Sequence, residues 1–220
     1  MKTAIHSEIG KLEGVIIHPP GSEVENMTPE NAERALYSDI LNLSVASREF
    51  AQLEGVLKKV TPVFHVKDLL TEILKDENVK IKLLEKICGN EGNTCTLADF
   101  EEIDASNLSK LLIEGVKLEK SNLTNYLSNE RFLLRPLHNL FFTRDSAMGM
   151  NDHMIIGKMA NPVRERESVI MEAIFRNHPG FETRILNPSE PNNGIIFNPK
   201  STLEGGDFQV AREDVFVIGT

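Results

Sequence analysis

From residue 67 to about residue 131 the chain shows no convincing strand pattern, while the stretches on either side of it alternate strands with helices. That division constrains the fold more than any other feature. Upstream, residues 12–18 hold the β-branched run Val15-Ile16-Ile17, stopped by Pro19-Pro20-Gly21, which predicts a buried strand closed by a hard turn. Thr28-Pro29-Glu30 reads as a helix start, with a capping hydroxyl and proline at the first helical position. Ala46, Phe50, Leu53, Leu57 and Val60 recur at helical spacing, so this segment should be an amphipathic helix lying on a sheet, and Val63-Phe64-His65-Val66 the next strand. Strand, helix, strand in that order is an α/β signature.

The middle stretch carries short helical patterns at residues 69–74, 79–87, 97–103, 108–116 and 123–127, separated by Ser/Asn-rich joints. It reads as a compact helical insertion, giving three parts: residues 1–66, the insertion 67–131, and 132–220. In the last part Met154-Ile155-Ile156-Gly157 is a strand, residues 164–177 a helix with Ile170, Ala173 and Ile174 on its apolar side, and Ile195-Ile196-Phe197 a short strand. Residues 202–210 form another strand, interrupted by Gly205-Gly206, and a further one runs from Asp214 to the last residue without a closing turn. A domain does not normally stop there, so the chain is expected to be cut from something longer.

Composition excludes several classes of function. A net charge of -9, with no clustered basic surface, argues against nucleic acid. No apolar run approaches the roughly 20 residues that span a bilayer, and no signal-peptide region opens the chain, so a cytoplasmic protein without membrane contact is expected. Cys88 and Cys95 are too few for a disulfide framework and lack the spacing of a zinc or redox pair; they read as free thiols. The six histidines form no ligand-spaced pair, so no metal is expected. The acidic cluster Asp99, Glu101, Glu102 and Asp104 lacks calcium-loop spacing and reads as a solvated helix face.

Three constellations could carry chemistry. In Asn139-Leu140-Phe141-Phe142-Thr143-Arg144-Asp145 two large rings that favour the interior run into a carboxylate that rarely goes inside unpaired. Asp145 is therefore either held at a site or paired structurally, with Arg144 or at a turn. Leu203-Glu204-Gly205-Gly206-Asp207 sets two carboxylates around glycines that let backbone approach closely; a bulged strand or hairpin is the alternative. Arg164 and Arg166 sit where a strand hands over to a helix, a usual place for binding side chains, although taken alone such arginines are more often surface charge. Three carboxylates and one or two arginines suit a zwitterionic ligand with a cationic end and a carboxylate end.

Taken with His6-Ser7-Glu8-Ile9-Gly10-Lys11-Leu12, Thr28-Pro29-Glu30-Asn31 and Ser44-Val45-Ala46-Ser47-Arg48, the segments Phe142-Thr143-Arg144-Asp145 and Leu203-Glu204-Gly205-Gly206-Asp207 occur in the order seen in arginine deiminases. The chain resembles the N-terminal part of that family over nearly its whole length. The resemblance implies an α/β fold of the pentein type, a propeller of ββαβ modules, partial here and carrying an inserted all-α helical domain. It implies hydrolysis of L-arginine to L-citrulline and ammonia without metal or organic cofactor. By motif position, Asp145 would grip the substrate guanidinium, and Glu204 would hydrogen-bond it and support a catalytic histidine. Asp207 would line the channel, Asn139 and Arg164 would hold the α-carboxylate, Phe142 would wall the aliphatic chain, and Leu36 would close over it. Arg166 has no matching role and keeps its surface reading.

The family's chemistry also needs a cysteine nucleophile, a histidine acid/base with a second aspartate two residues on, and another arginine, none of which has a matching position in this chain. A chain without the thiolate has no first step, so this one is expected to be inert by itself. A non-catalytic module binding a guanidino compound or a partner chain, and an amidine-transferring relative, are the alternatives. Exposed strand edges of an incomplete propeller would favour self-association into a homo-oligomer.

Overall fold

The computed structural model describes residues 1–27, 36–91, 95–121, 123–127, 131–190, 198 and 200–219. The expected helix start at Thr28 and the expected strand Ile195-Ile196-Phe197 lie outside them. The fold is mixed α/β. Strand β1 (Val15–Ile17) is followed by the short helix α1 (Ser22–Glu25) and the longer α2 (Leu43–Leu57), then by β2 (Val63–His65), which pairs with β1 in parallel. Val66 does not extend that strand; it opens helix α3 (Val66–Ile73).

Helices α4 (Glu77–Asn90), α5 (Ala105–Glu114) and α6 (Leu123–Leu127) follow. Carboxylates cap two of them: Asp76 accepts from the backbone N–H of Asn78 at the start of α4, and Asp104 from those of Ser106 and Asn107 at the start of α5. Asp99 likewise accepts from the backbone N–H and hydroxyl of Thr96, so two members of the acidic cluster serve helix and turn starts. The 97–103 pattern yields a single 3-10 turn, Leu97–Asp99. The helix expected over 108–116 stops at Glu114, because Gly115 turns into the left-handed region at φ 83° and sends Val116–Lys117 into a two-residue strand, β3. That strand pairs antiparallel with β4 (Phe132–Leu134), so the middle stretch does contain a strand, too short to leave a pattern.

Helix α7 (Thr143–Ser146) leads into the hairpin β5 (Ala147–Met150) and β6 (His153–Ile156). Helix α8 (Glu165–Asn177) then crosses to β7 (Arg184–Leu186), which lies parallel to β6. Hairpin, helix and parallel strand make one ββαβ unit. Successive residues of β6 face opposite sides: Met154 joins a large core with Ile170 and Ile174 of α8, Leu70 of α3, Leu84 of α4, Leu108 of α5 and Leu134. Ile155 joins Met148 in a smaller cluster with Phe208 and Val210 of β8 (Phe208–Arg212), which pairs antiparallel with β9 (Val215–Ile218).

Three expectations are corrected. Helix α2 forms with the expected period but buries none of its residues; Leu53 and Val60 are exposed, so the helix does not lie flat on a sheet. Cys88, in the last turn of α4, and Cys95, just ahead of the 3-10 turn, are joined in a disulfide, Cα atoms 5.3 Å apart. Arg166 is 4% exposed, paired with Glu91 at 2.7 Å and donating to the carbonyl of Arg135, so it is no surface charge. It lies on α8, which is enclosed on nearly every face and carries charged residues inward. Among the described residues no helix is long and apolar enough to cross a membrane.

Candidate active site

The segment 139–145 is a turn that rises into α7 rather than a core strand. The backbone N–H of Phe142 donates to the Asn139 carbonyl and that of Asp145 to the Phe142 carbonyl, while the Thr143 hydroxyl donates to the Ile16 carbonyl of β1. This path buries Asn139 and Leu140 and turns Phe142 out, 49% exposed, while Phe141, its centroid 4.3 Å away, is half-buried. The expectation of two core rings is therefore corrected.

Arg144 does not pair with Asp145. Its Nη2 and Nη1 meet the Glu8 carboxylate at 2.8 and 3.2 Å, and its Nε and Nη2 donate to the carbonyls of Gly205 and Phe208. Glu8 also accepts from the Val210 N–H, so one arginine ties the N-terminal segment to the glycine-pair segment, and it holds the Glu8 carboxyl below the usual carboxylate range against the effect of burial.

That frame leaves Asp145 to Arg164. The 3-10 turn Pro162–Arg164 is capped by the Asn161 side chain and delivers Arg164 to the mouth of α8. Arg164 Nη1 donates to Asp145 Oδ2 at 2.8 Å and lies 3.6 Å from Glu204 Oε2. Glu204 is itself aimed by the Ala160 backbone N–H, which donates to its Oε1 at 2.8 Å. Two carboxylates from different segments thus converge on one guanidinium nitrogen. Each keeps about a quarter of its side chain exposed, so the cluster opens to solvent.

The glycines explain the close approach. A Cβ on Gly205 would fall 2.7 Å from the Arg144 backbone, and one on Gly157 would fall 2.1 Å from the Asp145 carbonyl oxygen; Gly206 faces open space. Asp207 Oδ2 accepts from the Glu204 backbone N–H at 2.9 Å, closing the 3-10 turn Gly205–Asp207, so this stretch is a turn opening the β8–β9 hairpin and not part of a single strand from 202. Leu36 is 53% exposed with φ 69°, beside Tyr37, whose hydroxyl donates to the His138 carbonyl.

Glu167 was not singled out in the sequence, although its i,i+3 spacing from Arg164 on a helix was the available signal. It is 1% exposed and faces Arg164 with both oxygens. Burial pushes its carboxyl up from 4.5 to about 7 in spite of Arg164. Between those values the folded chain holds a proton that the unfolded chain does not. The resulting stability is full below about pH 4.5 and is lost as pH rises to about 7, a change of order 3 kcal/mol. Glu8, Glu23 and Glu172, whose carboxyls are held low, act in the opposite sense, losing stability as pH falls. Thermal unfolding of Glu167→Gln across pH 4.5–7 should therefore show a smaller decline toward neutrality than the unchanged chain; equal slopes would refute the raised carboxyl.

Comparison with known proteins bears on this cluster. A family model described as arginine deiminase matches residues 33–220. An arginine deiminase of Borrelia garinii subsp. bavariensis is 33% identical over 98% of this chain and 54% of its own length. One from Oenococcus oeni is 31% identical over 99% of this chain and 56% of its own, and one from Listeria monocytogenes 33% over 98% and 54%. The chain spans about half the length of the curated relatives it matches. With the motif order, the α/β fold and the match over residues 33–220 in agreement, the chain belongs to the arginine deiminase family.

Proposed function

We propose that this chain supplies the substrate-gripping part of an arginine deiminase site. The observation that carries the reading is the convergence of Asp145 and Glu204 on a single guanidinium, that of Arg164. Carboxylates arranged to hold one guanidinium will hold another, and the bidentate matching of carboxylate and guanidinium makes the preference specific. L-arginine would place its guanidinium between Asp145 and Glu204. Its α-carboxylate would draw Arg164 away from Asp145, with help from Asn139, while Phe142 walls the methylenes. Asp207 keeps Glu204 in place along the channel, and Leu36 covers the entrance.

Turnover requires a thiolate to attack the guanidinium carbon, the C–N bond to break with loss of ammonia, and water to hydrolyse the thiouronium adduct. Cys88 and Cys95 are the chain's two cysteines and are bonded to each other, so they supply no thiolate. The reading brings with it the pentein propeller, of which the β5–β6–α8–β7 unit would be one module. It also brings the division into 1–66, 67–131 and 132–220, a cytoplasmic enzyme and a tendency to form homo-oligomers.

Calorimetry of this chain with L-arginine, beside a citrulline assay, tests the reading. Binding without citrulline is expected. Absence of binding would sink the grip assigned to Asp145 and Glu204, and citrulline formation would sink the requirement for an added thiolate. Binding of guanidino compounds that lack an α-carboxylate with equal strength would favour the non-catalytic module over a deiminase part.

A further inference from the structure

Arg164 is contacted on two edges. Its outer nitrogen Nη1 meets Asp145 and Glu204, which keep some exposure; its Nε and Nη2 edge meets the fully buried Glu167, with Nη2 to Oε2 at 2.8 Å, Nε to Oε2 at 3.2 Å and Nε to Oε1 at 3.3 Å. If Asp145 takes an incoming guanidinium, Arg164 loses its outer partner. A guanidinium that is 5% exposed would then be stranded until the substrate's α-carboxylate docks on it, at a cost of several kcal/mol, unless another carboxylate of the chain still compensates it. Glu167 fills that need, because the first turn of α8 sets it three residues from Arg164, on its inner side. The groups facing Glu167 are Arg164, Asp145 and Arg166, with Tyr37 near enough to feel its charge.

We propose that Glu167 is a positioning residue of this site: it holds the inner edge of Arg164 whether or not Asp145 does, so that Asp145 can exchange Arg164 for an external guanidinium. The inference rests on the reading of Asp145 as a guanidinium acceptor, but its test does not. At pH 8, above the Glu167 titration, the Nε–H signal of Arg164, assigned by its loss in Arg164→Lys, should exchange with water about tenfold or more slowly than that of the exposed Arg184. The slow exchange should persist in Asp145→Asn and under saturating L-arginine. It should vanish in Glu167→Gln and be partly kept in Glu167→Asp, which retains the charge on a shorter stem.

Slow exchange that survives in Glu167→Gln, or that disappears in Asp145→Asn, would overturn the proposal. The comparison of the unchanged chain with Asp145→Asn decides it even if Glu167→Gln fails to fold. Separately, a carboxyl carbon signal of Asp145 that does not move on adding L-arginine would defeat the guanidinium-acceptor reading while leaving the Nε–H result to judge Glu167.

Discussion

Asp145→Ala, made in a chain extended to the full length of its relatives, should lower citrulline formation by about 10²–10³-fold or more, the usual effect of deleting an electrostatic partner of a reacting group. Two losses combine. The substrate guanidinium loses one of the carboxylates aimed at it, and Arg164 Nη1, released from its 2.8 Å bond to Asp145, is left to Glu204 at 3.6 Å, which blocks the second carboxylate as well. Asp145→Asn should be nearly as inactive, since an amide oxygen still accepts from Arg164 but brings no charge to the guanidinium. Stability should change little in either variant, because Asp145 is partly exposed and the buried Arg164 keeps Glu167 at 2.8 Å. Unchanged turnover in Asp145→Ala would refute the role; loss of turnover together with loss of folding would point to the frame around Arg144 instead.

The parts of the fold that repeat with a period were legible in the sequence. Strands β1 and β2, and α8 with Ile170 and Ile174 inward, follow from hydrophobic spacing, and the strand expected from Asp214 forms as β9 although it stays largely exposed. What did not show is where charge goes inside. Arg166 and Glu167 sit in a helix covered on nearly every face, and hydropathy reads such residues as surface. Asp145 looked like a partner for its neighbour Arg144, yet adjacent side chains on α7 point apart, and each found its partner in a distant segment: Glu8 for Arg144, Arg164 for Asp145. The aromatic pair misled for a related reason, since the turn that buries Leu140 lifts Phe142 outward. The site residues were named by motif, but that one of them, Arg164, lies beside both Asp145 and Glu204 depends on geometry that motif order does not contain.

Gly157→Ala should be the most damaging added methyl among the described glycines. Its Cβ would lie 2.1 Å from the Asp145 carbonyl oxygen and 3.2 Å from the Ser146 Cα, both backbone atoms that no rotamer change can move aside. The Gly157 N–H donates to the Ser146 carbonyl at 3.0 Å, so the two segments cannot separate without losing that bond. Relief requires α7 to shift away from β6, which costs about 3 kcal/mol or more, at the upper end for overpacked cores. The shift also carries Asp145 out of line with Glu204; a misplacement of about 1 Å at a binding group is enough for a loss of order 10²-fold. Thermal unfolding and L-arginine calorimetry on the same variant should therefore report a lowered Tm and lost binding together. Gly206→Ala is the matched control: nothing lies within 4 Å of its added methyl, and its stability should stay within about 0.5 kcal/mol of the unchanged chain. Equal tolerance at both positions would mean that the backbone of Asp145 is not pressed against β6, and the aim of its carboxylate would need another cause.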